Sequence, residues 1–159
     1  MKQMEKTNEL VQAAMFMSLI IVAQTLLRLP IPGTQGYIHM ADAVIFLAVL
    51  KMGWREGALI AGLGSALGEL LCGFAFWVPW TLFIKAGMAV ALGLCIIKDR
   101  SQSRMITGMI LGGLFMTAGY FGADWFMYGN YLIAAAGIPW NIAQFAVGAF
   151  VAVLIQRRL

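Results

Sequence analysis

The chain has 159 residues, of which 62% are hydrophobic and 11% charged, with a mean hydropathy of +0.85 and a net charge of +4. Soluble domains average about 45–50% apolar and about 25% charged, and one this small has too little interior to bury such an excess. An ordinary cytosolic enzyme and a disordered or collagen-like chain are thereby excluded, the nucleic-acid reading of a basic pI is weakened, and the solvent for most of the protein is lipid.

A helix needs roughly 20 residues to cross about 30 Å of hydrocarbon, so the length leaves room for about six spans with short loops. The first apolar run, 10–27, follows a polar start (Lys2, Glu5, Lys6, Asn8, Glu9). Gln24 and Arg28 stand where signal cleavage would need small residues, so this run is read as an uncleaved span. Pro30, Pro32 and Gly33 then break the helix. The second run, 41–52, would be only roughly 18 Å long as a helix. Either that helix begins earlier, near Gly36, or the preceding loop folds over a cavity, the reading preferred here. Further runs follow at 58–74, 79–97, 105–128 and 138–155, bounded by glycine, proline or charge clusters. Spans are therefore predicted at 10–28, 38–52, 56–74, 79–98, 105–128 and 138–156, in one all-α integral membrane domain, a six-transmembrane-helix bundle.

Charge placement sets the expected orientation. With six spans, nine of the eleven cations (Lys2, Lys6, Lys51, Arg55, Lys98, Arg100, Arg104, Arg157, Arg158) fall on one side together with both termini. That side is cytoplasmic by the positive-inside rule. Small residues four apart (Gly57, Ala61 and Ser65; Gly64 and Gly68; Gly108 and Gly112; Gly148 and Ala152) predict close helix contacts. Cys72 and Cys95 fall in opposite leaflets, too far apart for a disulfide, and are read as buried apolar residues. A single histidine argues against a metal site. No cofactor is expected, and no Gly-x-x-x-x-Gly-Lys-Ser/Thr loop occurs, so energy for transport must come from a partner or an ion gradient.

The polar residues within the runs gather at one depth. Asp42, Glu69, Lys85, Asp124, Asn141 and Gln144 all map to the outer leaflet, as do Trp77, Trp80, Trp125, Trp140, Tyr37, Tyr128 and Tyr131. Intramembrane ionisable groups are costly and face a bundle interior. Taken singly, Lys85 could tie two helices by pairing with Glu69, and Asp42 could favour a helix N-terminus. Taken together, they predict an outward polar pocket with aromatic walls suited to a small flat ligand.

The stretch from Pro30 to Ala48 (PIPGTQGYIHMADAVIFLA), the run Gly62–Gly73 (GLGSALGELLCG) and the segment Trp77–Gly87 (WVPWTLFIKAG) resemble the signature segments of substrate-binding (S) components of energy-coupling factor (ECF) transporters. The resemblance is to the riboflavin-type branch, which also holds pyrimidine-precursor and other vitamin carriers. It implies six helices, an outward pocket capped by the first loop, no enzymatic activity and a prokaryotic plasma membrane. It also implies docking on a transmembrane T component that carries two ATPase subunits. The family's Ala-x-x-x-Ala docking motif falls on Ala14 and Ser18, where serine departs from the pattern but remains small. Tyr37, Asp42, Glu69, Trp77 and Lys85 lie in the signature segments; together with His39, Trp80, Asp124 and Asn141 they form the predicted substrate site.

Asp42, Glu69 and Asp124 against Lys85 and Arg28 leave this region at about −1. That balance mildly favours a neutral or cationic heterocycle, hydroxymethylpyrimidine- or pyridoxine-like. A pantothenate-like anion would need Lys85 free of Glu69, and riboflavin stays open. The competing reading is a self-sufficient ion-coupled carrier that relays protons through Lys85, Glu69 and Asp124. Intramembrane proteolysis is remote, because Ser65 has only the loop residue His39 as a base.

Overall fold

A computed structural model describes residues 2–30 and 37–157. Helix α1 (Lys2–Leu26) is followed by a short antiparallel hairpin, β1 (Arg28–Pro30) and β2 (Tyr37–His39), with Leu29 opposite Ile38. Then come α2 (Ala41–Met52), α3 (Trp54–Leu71), a single 3₁₀ turn (Ala75–Trp77), α4 (Val78–Ile96), α5 (Gln102–Tyr128), α6 (Tyr131–Ala136) and α7 (Ile138–Gln156). Residues 31–36 lie outside the described part, and with them much of the loop expected to fold over a cavity.

Local sequence explains most boundaries. Pro79 and Pro139 sit in the first turns of α4 and α7, where the missing N–H costs nothing. Helix α5 ends on Gly129 in the left-handed conformation (φ 61°), and the Asn130 side chain then caps α6 by accepting from the N–H groups of Leu132 (2.9 Å) and Ile133 (3.4 Å). Between α2 and α3 there is one residue, Gly53, at φ 92° and ψ 177°, a backbone state that a Cβ would strain.

Several boundaries differ from the expected spans: α1 and α5 start earlier, at Lys2 and Gln102, and α6 is an additional short helix. Helix α2 starts at Ala41 rather than 38, because Tyr37 to His39 pair with β1 instead of extending it. Helix α3 stops at Leu71 rather than 74, with Gly73 at positive φ (83°) turning the chain into the 3₁₀ segment.

Four helical stretches among the described residues are long and apolar enough to cross a membrane: Gln3–Leu26, Ala75–Ile96, Gln102–Tyr128 and Tyr131–Gln156. Helix α2, at 12 residues, is too short, and α3 carries Arg55, Glu56 and Glu69. Large apolar side chains stand on the outward faces, among them Leu59, Phe83, Phe126 and Phe150, all exposed, which suits a lipid solvent.

Helix α3 packs on α1 and α4, α4 on α5, and α2 fills the centre against α1, α3 and α7. The small-residue stripes make these approaches. Gly64 takes Ile20 of α1, with a prospective Cβ 3.4 Å from its side chain, and Gly112 takes the Met88 carbonyl of α4 at 2.7 Å. Gly148 takes Asp42 and Ala43 of α2 at 2.8 to 3.0 Å. Ile45, Phe46, Met88, Leu92 and Met116 form the centre of the core. Both cysteines are free, but they are half-buried rather than fully enclosed.

Candidate functional site

The hairpin and the start of α2 bring the signature residues to the middle of the bundle. Asp42, in the first turn of α2, sits where the helix dipole favours a carboxylate. Lys85 of α4 reaches it, with Nζ 2.5 Å from Oδ1, and both side chains are completely buried. The sequence alternative of a Lys85–Glu69 pair is therefore wrong. Asp42 lies on the central helix, within reach of α4, whereas Glu69 is engaged by hydroxyls. Nζ also lies 2.9 Å from Met116 Sδ and 5.6 Å from the Tyr120 ring centroid, so α5 completes the enclosure.

Gln144 of α7 supplies the second partner of Asp42, donating from Nε2 to Oδ2 at 2.9 Å. Its Oε1 accepts from the backbone N–H of His39 at 3.0 Å. The hairpin is thus tied through α7 to the buried ion pair. His39 itself is buried, and its Nδ1 accepts from the Ala41 N–H at 3.2 Å, which places the proton of the neutral ring on Nε2. Burial, followed by the positive charge of Lys85, holds this imidazole well below its usual pKa, so it stays neutral.

A second cluster surrounds Glu69. The Tyr37 hydroxyl donates to Oε2 at 2.9 Å and itself accepts from Gln24 Nε2 of α1 at 3.0 Å. Thr81 Oγ1 lies 3.3 Å from Oε1 and accepts from the Tyr120 hydroxyl at 3.3 Å. Trp77 packs edge-on to Tyr120 (5.9 Å between centroids), and Tyr37 packs against Phe74 (5.0 Å).

Six of the nine predicted substrate residues, Tyr37, His39, Asp42, Glu69, Lys85 and Trp77, therefore lie in two adjoining clusters linked by Tyr37, His39 and Tyr120. The other three stand apart. Trp80 is half-buried and stacks on Phe126 at 5.5 Å. Asp124 and Asn141 are buried where α5 meets the start of α7, flanking Gly137, whose prospective Cβ lies 3.4 Å from Asp124 Oδ2 and 3.7 Å from Asn141 Nδ2. Trp125 and Trp140 remain exposed, as belt residues would.

Sequence reasoning left Gln24, Thr81 and Tyr120 out of the predicted site, and it counted Gln144 among the pocket's polar groups without naming it a substrate residue. A neutral polar residue in an apolar run was the available signal, but it carries less weight than a charge. An open cavity of about 430 Å³ adjoins the clusters, lined by Leu26, Arg28, Ile38, His39, Ala143 and Gln144. No group of three or more His, Cys, Asp or Glu positioned to hold a metal occurs among the described residues. On the outer face of α1, Ala14 and Ser18 are both exposed, and the Ser18 hydroxyl donates to the Ala14 carbonyl at 2.8 Å. That bond leaves a small surface with little polarity of its own.

Comparison with known proteins gives consistent matches. Residues 4–159 match the family model described as ECF-type riboflavin transporter, S component. The chain is 34% identical over 159 residues to the thiamine precursor transporter HmpT of Lactococcus lactis subsp. cremoris, covering 98% of this chain and 91% of that protein. An uncharacterized protein of Pyrococcus woesei is 34% identical over 110 residues, covering 69% of this chain and 74% of that one. A solved structure described as the S component of a bacterial ECF transporter superposes with a TM-score of 0.74 at 25% identity, covering 96% and 95% of the two chains.

Proposed function

The chain belongs to the family of ECF-type riboflavin transporter S components, and on that premise we propose that it is the membrane-embedded binding subunit for a small heterocyclic vitamin precursor. It hands this cargo to a T component with two ATPase subunits for import. The proposed orientation has six spans and both termini in the cytoplasm, with α2 and α3 crossing because α1, α4, α5 and α7 shield them from lipid. Ala14 and Ser18 form the docking stripe.

The observation that carries the ligand class is the commitment of Lys85 to Asp42. Among the described residues of the two clusters the buried cation is Lys85, neutralised by Asp42, and Glu69 has no cation within ion-pair range; Arg28 lines the adjoining cavity, its guanidinium 5.9 Å from the Tyr37 ring centroid. A pantothenate-like carboxylate is disfavoured, and a neutral or cationic ring of the hydroxymethylpyrimidine or pyridoxine kind is favoured. The likeness to a thiamine precursor transporter supports the same choice.

Thermal unfolding of the detergent-solubilised protein against a panel of hydroxymethylpyrimidine, pyridoxine, riboflavin and pantothenate tests this reading. A ligand at about 100 times its Kd should stabilise by about 2.7 kcal/mol. Absence of any shift across the panel, or proton-driven uptake into liposomes that lack an ATPase, would contradict it.

A further inference from the structure

Donors and acceptors around Glu69 do not balance. Tyr37 and Thr81 each direct a hydroxyl proton at one carboxylate oxygen, and Gln24 and Tyr120 direct theirs at those hydroxyls. Every proton in the cluster thus runs towards Glu69. Each carboxylate oxygen accepts one bond where it can take about two. The ion pairs among the described residues join Lys85 to Asp42 and Arg104 to Asp99, so none reaches Glu69.

Two further polar atoms nearby have no partner: Gln24 Oε1, an acceptor, and Ser65 Oγ, a hydroxyl oxygen that can accept or donate, both on fully buried side chains. Ser65 lies one helical turn before Glu69 on the same face of α3. Gln24 presses its amide on the Gly68 backbone, where a Cβ would stand 2.6 Å from Oε1. Turning that amide over gives no relief. Oε1 would then meet the Tyr37 hydroxyl, whose one proton already serves Glu69, and Nε2 would become the orphan. A buried acceptor without a donor costs its full desolvation, so such a group points to a donor that binds there.

We propose that Gln24, Ser65 and Glu69 form an acceptor wall that recognises N–H groups of the ligand. The chain then selects a heterocycle bearing an amino group or a protonated ring nitrogen, and rejects one that presents a carbonyl or carboxylate at the same place. This inference rests on the binding function proposed above and assigns its polarity. On the opposite side Lys85 is already held by Asp42 and Met116.

The test uses the purified full chain in detergent and two probes: a 4-amino-5-hydroxymethylpyrimidine and its 4-oxo counterpart, in which a carbonyl replaces the amino donor. Calorimetric titration should give at least about ten-fold tighter binding of the amino compound, the scale of one charge-assisted hydrogen bond. Glu69→Gln, which offers a donor of its own, should erase most of that preference by weakening the amino probe alone. Ser65→Ala, a smaller change that keeps α3 intact, should reduce the preference in the same direction. Equal affinity for the two probes, or equal losses for both in the variants, overturns the inference. If riboflavin or pantothenate binds and neither pyrimidine does, the wall is wrong and the binding function stands. If nothing binds, both fall.

Discussion

Replacing Lys85 with methionine isolates the buried ion pair. Methionine keeps most of the stem that packs against Met116, so the chief loss is the charge facing Asp42. Both partners are fully buried, and the remaining hydrogen bond on Asp42 comes from Gln144, a neutral amide. Removing one partner of such a pair leaves an uncompensated charge in a low dielectric and costs about 3–5 kcal/mol, whereas removing both costs far less. For a chain of this size each kcal/mol moves Tm by about 2–4 °C, so Lys85→Met should unfold about 6–20 °C early. The Asp42→Asn/Lys85→Met double variant, whose asparagine can still pair with Gln144, should recover most of that loss. Tryptophan fluorescence during thermal unfolding in one detergent reads all the variants side by side. A single variant within about 1 kcal/mol of the parent, or a double variant no better than the single, would refute the claim that the pair is buried and mutually neutralised.

Other outcomes follow from the same geometry. Gly68→Ala places a methyl against the Gln24 amide and should break the Gln24–Tyr37 bond, at a cost of about 1–3 kcal/mol; calorimetry of unfolding checks it. Gly93→Ala sets a Cβ 2.1 Å from Trp54 Cβ and should destabilise at least as much without altering ligand preference, which a binding titration on the folded fraction would show. Ser18→Leu should leave ligand affinity intact and abolish ATP-driven uptake in vesicles with the energy-coupling module; undiminished uptake would remove α1 as the docking face.

The neutral His39 sets a pH dependence with a definite sign. Its folded-state pKa, about 3, lies below the unfolded value of about 6.5. Its contribution is therefore complete above about pH 6.5 and is lost as pH falls towards the folded value, at up to about 1.4 kcal/mol per unit. His39→Asn, which can still accept from the Ala41 N–H, should flatten the pH profile of Tm between 6.5 and 4.5 relative to the parent. Parallel profiles would show that His39 is not held neutral.

Much of the framework is legible in the sequence because lipid permits so little. The prolines at 79 and 139 begin helices, Gly129 ends one, and the glycine stripes at 64, 68, 108, 112 and 148 sit at helix contacts. Partner choice was not legible. Glu69 and Asp42 lie at similar depth on neighbouring helices, so spacing alone could not say which one Lys85 would reach. The rotation of α4 decides it, turning Lys85 to α2 and Thr81 to Glu69. The hairpin was also hidden. Residues 28–30 and 37–39 are too few to carry a period, and their pairing depends on the anchors that Tyr37 and His39 find on α1, α3 and α7.

The single glycine between α2 and α3 has a mechanical meaning. Gly53 N–H bonds back to Val49, Gly57 N–H bonds to the Gly53 carbonyl, and Gly57 meets Val49 with no space for a methyl group. The elbow is therefore bolted at both sides and has no slack to take up a displacement. At its other end α2 carries Asp42, fastened to α4 and α7. The helix is thus pinned at both ends, by backbone packing at the elbow and by side-chain bonds at Asp42. A short central helix therefore joins the backbone elbow at Gly53 to the buried ion pair at Asp42 as one rigid strut.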